Sequence, residues 1–552
     1  MCLTRVVLVV FLAAGLIMQA VQSDASPQSA SRRSASPQSA SQQYWTLQAQ
    51  VVTDAVLKDA IDLAPLDRAL LFGRLAEIWR LKDTSRAQAL LQKAITEIEF
   101  NPNAESDVDR SKRLSVLTAL LTTAAPFDER LTQQLTDLLK SGDDKPGRFD
   151  ANDTADALAK AALAVLDVDP NRAAALGSAS LRAGRSTSFP SLLSRLRSRN
   201  QALGAALFDQ ALVTAGTRKD RDLLASLILI ALNGPAPTDE TRRTMIRTIE
   251  HEFLGGSGEA NPNRGCSLAT IIAPLLVEFD RLLPQSSANI RRGLIGCQKI
   301  SSSSDATVER VLDNQPVKTV SDLLDAAGKA RTIGDKALLL GRAANLAAQQ
   351  KKFEQALEIL DGLSEEQREA LGDVWSDWRW DFAASAAVAK LKADDRQGME
   401  KIISSTPTDL QAFVRVAVSQ ELADYGDTAR AIELLEAARK SFLKSDDIPN
   451  VFDWYMSLLS RYGKIAPKEG PEVFREFVTV NNRTKPKPNE MPAVRENLQP
   501  LKLPASVVQV DFVQMKDAAS ALDSRVMRIR ARLGLIKSLL ESASADTRAN
   551  SN

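Results

Sequence analysis

The chain has one histidine, His251, in 552 residues. That excludes sites built from several histidines and leaves any imidazole acid–base chemistry to a single side chain. Aromatic residues are only 5% of the chain. Its 25 glycines and 23 prolines are fewer than usual for 552 residues, so turns are few and elements long. Seventy Lys and Arg meet 69 Asp and Glu, for a net charge of +1. No global field therefore draws the chain toward nucleic acid or anionic lipid. Hydrophobic residues at 44% and charged residues at 25% fit a soluble globular protein. They exclude collagen, a multi-span membrane protein and a wholly disordered chain. The abundance of Ala and Leu favours helix.

The first residues read as an export signal. One positive charge, Arg5, precedes a nearly unbroken apolar run from Val6 to Ala20. That run is shorter than the roughly 20 residues a membrane span needs. Val21-Gln22-Ser23 offers cleavage before Asp24, and no cysteine stands there for lipid attachment. Residues 1–23 are thus expected to be a signal peptide. Ala25-Ser-Pro-Gln-Ser-Ala-Ser31 then repeats as Ala35-Ser-Pro-Gln-Ser-Ala-Ser41. These repeats carry no large apolar side chain to offset ordering entropy, so residues 24–42 are expected to be a flexible tether. Beyond the leader the cysteines are Cys266 and Cys297, an even number in an exported chain. Ser267–Leu283 and Ser286–Lys299 read as two antiparallel helices turning at Pro284. A Cys266–Cys297 disulfide would clip the open end of that hairpin, contributing about 3 kcal/mol in the loop-entropy picture. Two buried free thiols are the alternative.

From Gln43 onward the apolar period is helical. Ala87, Leu91, Ala94 and Ile98 form one stripe, as do Ile333, Ala337, Leu340 and Ala344, and Ala431, Leu435, Ala438 and Phe442. Thr406-Pro-Thr-Asp409, Ser364-Glu-Glu-Gln367 and Thr217-Arg-Lys-Asp220 read as helix starts. The sequence divides into helical-repeat regions at 43–300 and 306–482, a Pro-rich extended segment at 483–513, a last helix at 514–541 and a disordered tail at 542–552. Ser141–Gly147 is a further polar boundary. Val508, Val510 and Phe512 alternate with Gln509 and Asp511, the pattern of a short strand. The expected fold is all-α: an α-solenoid of antiparallel helical hairpins with a short Pro-rich extended segment before a C-terminal helix. A closed bundle or an α/α toroid is the alternative.

Three hairpins resemble degenerate tetratricopeptide repeats. In Ala337–Leu360, Ala344 and Ala347 on the first helix would meet Ala356 and Leu360 on the second. In Val418–Ala438 the matching positions are Leu422, Ala431, Leu435 and Ala438. In Leu71–Ile98 they are Ile78, Ala87, Leu91 and Ala94. The usual first-helix Gly and Tyr are absent. The resemblance implies a scaffold that offers a groove to a protein or peptide.

No G-x-S-x-G, HExxH, P-loop or dinucleotide fingerprint carries catalysis. His251 sits at the end of a predicted helix, where it meets the negative pole of the dipole. Gly255–Gly258 follows a helix and reads as a loop. The adjacent carboxylates Asp143-Asp144, Glu365-Glu366 and Asp394-Asp395 lie where acids cap helices. No catalytic residue, cofactor or metal is therefore expected. Two features point to binding. Arg172, Arg182, Arg185, Arg195, Arg197 and Arg199 fall between Pro170 and Phe208 with no acid among them. Such a group holds carboxylate or phosphate well, unless neighbouring helices supply the acids. Trp375, Trp378 and Phe382 share one helical face, which reads either as a hairpin interface filled by large side chains or as a stacking platform or partner anchor, and Trp380 lies off it as the ring expected to be exposed. The expectation is an exported, periplasmic or extracellular scaffold for protein–protein interaction, with a protein or peptide partner. An anionic envelope polymer is a further ligand, and nucleic acid is not one. A polysaccharide-directed toroid enzyme and a purely structural envelope component are the competing expectations.

Overall fold

The computed structural model describes residues 37–99, 107–140, 149–233, 238–254, 268–272, 275–300, 319–444, 451–483 and 498–548. Among these the chain is all-α, with no strand.

A first arm comprises α1 (Pro37–Asp59), α2 (Pro65–Trp79), α3 (Thr84–Glu99), α4 (Asp107–Ala124), α5 (Glu129–Lys140), α6 (Ala151–Val165) and α7 (Pro170–Ala183). It continues through α8 (Phe189–Arg199), α9 (Gln201–Arg218), α10 (Arg221–Asn233), α11 (Asp239–Leu254), α12 (Ala269–Ile272), α13 (Leu276–Leu282) and α14 (Pro284–Ile300). A second arm begins with α15 (Val320–Lys329), α16 (Ile333–Gln349), α17 (Phe353–Asp361), α18 (Glu365–Leu371), α19 (Asp373–Lys392) and α20 (Arg396–Ser405). It ends with α21 (Thr408–Asp424), α22 (Thr428–Lys444), α23 (Val451–Ile465), α24 (Gly470–Arg483), α25 (Ala505–Val510), α26 (Phe512–Ser520) and α27 (Arg525–Arg548).

Neighbours in sequence are neighbours in space. Helix α2 packs on α3, α6 on α7, α15 on α16 and α21 on α22, while α2 also meets α4 and α19 meets α21. This is serial packing of antiparallel hairpins. Its cause is visible in the stripes: Ala87, Leu91, Ala94 and Ile98 are all fully buried, as are Ala344, Ala347, Ala356 and Leu360. Small residues at these contacts let backbones approach closely. Local chemistry sets the ends. Asp150 and Asp153 form a capping box at α6, Asp169 caps α7 ahead of Pro170, and Ser364 with Gln367 boxes the start of α18.

Several sequence expectations are corrected. Thr406 caps the end of α20 through Ile402, and Pro407 begins α21 with no side-chain cap. Thr217 bonds back to Val213 inside α9, and Asp220 alone caps α10. Ile333 is exposed. Helix α1 begins at Pro37, inside the expected tether. The alternating Val508–Phe512 stretch is helical, because Val507 and Val508 are drawn into the core against Gly470 and five residues of alternation cannot outweigh that burial. The expected last helix is two helices, α26 and α27, broken where Leu522 turns into the core. Helix α27 continues to Arg548, beyond the expected start of the tail.

The two arms are joined through the ends of the chain. Helix α27 packs along α1 and touches α2. On α1, Ala49, Val52, Val56 and Ala60 form the buried stripe; Leu533, Ile536, Leu540 and Ala543 are among the buried residues of α27. One continuous core accordingly links residues 49–290 with residues 410–540, and a smaller one serves residues 320–434. No described helix is long and apolar enough to cross a membrane.

Candidate functional site

The arginine group is dispersed by acids from neighbouring helices. Arg185 pairs with Asp220 at 2.8 Å, and Asp167 faces Arg199 at 3.1 Å and Arg195 at 3.4 Å. Arg172 donates to the Thr132 hydroxyl. Arg197 is buried: it donates to the Ile230 carbonyl and lies over the Phe208 ring, and burial holds its guanidinium below its ordinary value. Arg182 alone is exposed with no side-chain partner among the described residues.

The tryptophans are packing residues. The Trp375 ring takes the Arg368 guanidinium on its face, and its Nε1 donates to the Leu360 carbonyl. The Trp378 ring sits on Gly341, where an added Cβ would come within 2.5 Å of it. Trp380 is not the exposed ring. It lies edge-on to Trp454 at 5.2 Å and beside Phe413, which itself stacks on Trp454 at 3.6 Å. The off-face position is thus covered by α21 and α23. The arginines lie on α7, on α8 and in the turn between them in the first arm, and the tryptophans on α19 of the second.

Glu365 and Glu366 occupy the first turn of α18, and Asp395 caps α20. His251 is exposed in the last turn of α11. Cys266, the Cys297 side chain, Asp143-Asp144, Gly255–Gly258, the residue 1–36 leader and tether, and the boundaries at 141–147 and 301–305 lie outside the described residues.

The feature with the clearest architecture is the seam where the arms meet. Asp59 of α1 accepts from Arg532 at 2.5 Å and Arg528 at 3.3 Å, both on α27. Asp62 accepts from Arg525 at 3.0 Å, and Lys82 donates to the Ala543 carbonyl. The Asp59 and Asp62 pairings run antiparallel along α27 from the end of α1 and the turn after it. Residues Leu498–Pro504 form an extended strap over the same region. Leu501 and Leu503 point in and Lys502 points out. The Leu501 amide donates to the Arg530 carbonyl, Arg530 Nε donates to the Gln499 carbonyl, and Ser538 donates to the Leu503 carbonyl. Close approach needs the absence of side chains. A Cβ on Gly534 would fall 2.5 Å from the Leu501 carbonyl oxygen, and one on Gly463 would fall 2.5 Å from Pro504.

Two cavities flank this strap. One, of about 660 Å³, is walled by the end of α2 (Glu77 to Lys82), by Gln499 and Pro500, and by Lys537, Leu540 and Glu541 of α27. The other, of about 300 Å³, lies between the end of α23, with Lys464, and the rest of the strap, with Lys502. Lys537 and Glu541 border both. Sequence reasoning missed this seam. Its signals were the four arginines in Arg525–Arg532, the Leu501-Lys-Leu503 alternation between prolines, and Gly534 inside a helix.

No family model matches the chain. No curated protein matches it. Among solved structures the chain is similar to a "Circular tandem repeat protein with novel repeat topology and enhanced subunit contact surfaces", at 14% identity over 92% of this chain and 100% of that one, with a TM-score of 0.13. At that score the two backbones do not superpose, and the fold is read from the chain's own packing.

Proposed function

We propose that the chain is an exported helical-repeat scaffold of tetratricopeptide-like character that mediates protein–protein interaction in the cell envelope without catalysis. The observation that carries this reading is the serial packing of helical hairpins. Each hairpin buries its small-residue stripe against its neighbours and leaves its outer faces to solvent, which is how such arrays present extended surfaces. The leader, the tether and the balanced charge support export and a protein partner rather than nucleic acid.

The toroid reading draws on one observation, the meeting of the chain's ends. A toroid enzyme gathers acids and aromatics at one mouth. Here Trp380, Phe413 and Trp454 pack on one another against the core, Glu365 and Glu366 lie in the first turn of a helix, and Asp395 caps another. The test is affinity capture from envelope extract with the full chain, followed by titration of the captured protein in purified form. A purified partner that binds supports the scaffold. Enriched polysaccharide fragments, or turnover of a polysaccharide, would replace it with the toroid enzyme.

A further inference from the structure

The structure assigns the strap-flanked groove at the seam as a binding site for an acidic, partly apolar peptide segment of a partner protein. This inference rests on the scaffold reading and names the surface and the partner's chemistry. Charge carries it first. Arg80, Lys82, Lys464, Lys502 and Lys537 line the two cavities. Among the described residues only two carboxylates share them, and both are engaged: Glu77 with Arg74 at 2.9 Å, and Glu541 with Lys537 at 3.9 Å. Arg80, Lys464 and Lys502 have no carboxylate partner among the described residues. This contrasts with Arg185, Arg195 and Arg199, each answered by an acid. A chain with net charge +1 has enough carboxylates for all of them. Here, among the described residues, it leaves Arg80, Lys464 and Lys502 open.

The floor supplies the second requirement. Leu81 is 83% exposed at the mouth of the larger cavity, beside Ile78, Pro500 and Leu540. A polar ligand would leave this apolar surface wet; a peptide that alternates carboxylates with aliphatic side chains covers it while meeting the cationic rim. The cavities lie within the size range of ligand pockets. Their arrangement on both sides of a bound extended strap suits a second extended segment.

The groove is composite. Its larger cavity is walled by the end of α2 and the turn after it on one side and by the strap and α27 on the other; its smaller cavity is formed by α23, the strap and α27. The larger cavity therefore exists only while α27 is seated on α1 and α2. A ligand that binds only this seated form must favour it, and loosening the seam must weaken binding by linkage.

The experiment uses the full chain and a short fluorescein-labelled peptide of alternating Glu and Leu, with its Lys/Leu counterpart, read by fluorescence anisotropy. The wild type should bind the Glu/Leu peptide, more weakly as salt rises, and not the Lys/Leu peptide. The triple variant Lys464→Glu, Lys502→Glu, Lys537→Glu should lose roughly tenfold or more in affinity. Reversals on exposed cations elsewhere, Lys329→Glu, Lys336→Glu and Lys352→Glu, should not. The seam variant Asp59→Asn should bind more weakly in step with faster hydrogen exchange in α27. Equal binding by the wild type and the triple variant overturns the groove. No binding by the wild type overturns the peptide chemistry. Displacement of the peptide by an anionic polysaccharide at comparable charge concentration reassigns the cations to a polyanion. An unchanged affinity in a loosened Asp59→Asn seam overturns the composite origin. In each of these cases the scaffold reading stands or falls separately, on capture of a partner that the triple variant still binds.

Discussion

Replacing Asp59 by alanine should unlatch the two ends of the chain. Asp59 lies between Arg532 at 2.5 Å and Arg528 at 3.3 Å, with side-chain exposures of 22%, 13% and 22%. Exposed ion pairs contribute at most about 1 kcal/mol. Breaking a fully buried pair costs about 3–5 kcal/mol, because an uncompensated charge is left behind. The Asp59 site lies between these limits. The arginines would keep other acceptors: Arg532 also reaches the Ala55 carbonyl and Ser520, and Arg528 the Leu522 carbonyl. That moves the cost toward the lower end, about 2 kcal/mol, or roughly a thirtyfold change in a local opening equilibrium. The apolar stripe of α1 stays in place, so the ends should open more often without the arms unfolding. Hydrogen exchange read by mass spectrometry should show α1 and α27 losing about that factor in protection while α6 and α7 stay unchanged. Glu433→Ala, which removes an exposed partner of Arg430, should change exchange by less than about fivefold. Unchanged exchange in α1 and α27 of the Asp59 variant would refute the reasoning, since the ion cluster would then contribute nothing to seating α27.

Gly534→Ala should destabilise the second arm by about 1–3 kcal/mol through its clash with the Leu501 carbonyl, whereas Gly328→Ala, which meets nothing within 4 Å, should stabilise by up to about 1 kcal/mol in urea melts. The Asp156 carboxyl would be raised by burial, but Lys160, the Ser188 amide and the Ser186 and Thr187 hydroxyls together hold it well below the usual range. Its contribution should be complete above the unfolded value near ~4 and fade as pH falls through the folded value. Asp156→Asn should therefore narrow the stability difference between pH 7 and acid in melts followed by circular dichroism. The Tyr455 hydroxyl is fully buried with no hydrogen-bond partner among the described residues. Tyr455→Phe should be neutral or stabilising by up to about 1 kcal/mol, and a loss above 1 kcal/mol would show a bound water or another partner there.

The helical content was legible because every hairpin repeats the same local rule. Ala87, Leu91, Ala94 and Ile98 announce one face at helical spacing, and Ser364 with Gln367 announces a start. What failed was local chemistry overruled by distant partners. Val508 and Val510 alternate like a strand, yet Gly463 and Gly470 open space for a helical turn to sit close. The arginines between 172 and 199 left two readings open in the sequence, which does not show that Asp167 and Asp220 fold back onto them. Trp380 was expected outside because its own helix leaves it off the main stripe, but α23 brings Trp454 to cover it. The seam was the least legible feature. It joins residues more than 460 positions apart, and no local pattern in either segment names the other.

The most direct test of the account is a pulsed electron-resonance distance between spin labels at Lys58 on α1 and Glu541 on α27. The antiparallel pairing of Asp59 with Arg528 and Arg532 sets the register of the two helices. With 1.5 Å rise per residue and helix axes 8–10 Å apart, the labels should sit about 20 Å from one another. One narrow distribution near that value is expected in the wild type, broadened by Asp59→Ala. A broad or much longer distribution in the wild type would contradict it: the chain would be open at its ends, and the composite groove would not exist.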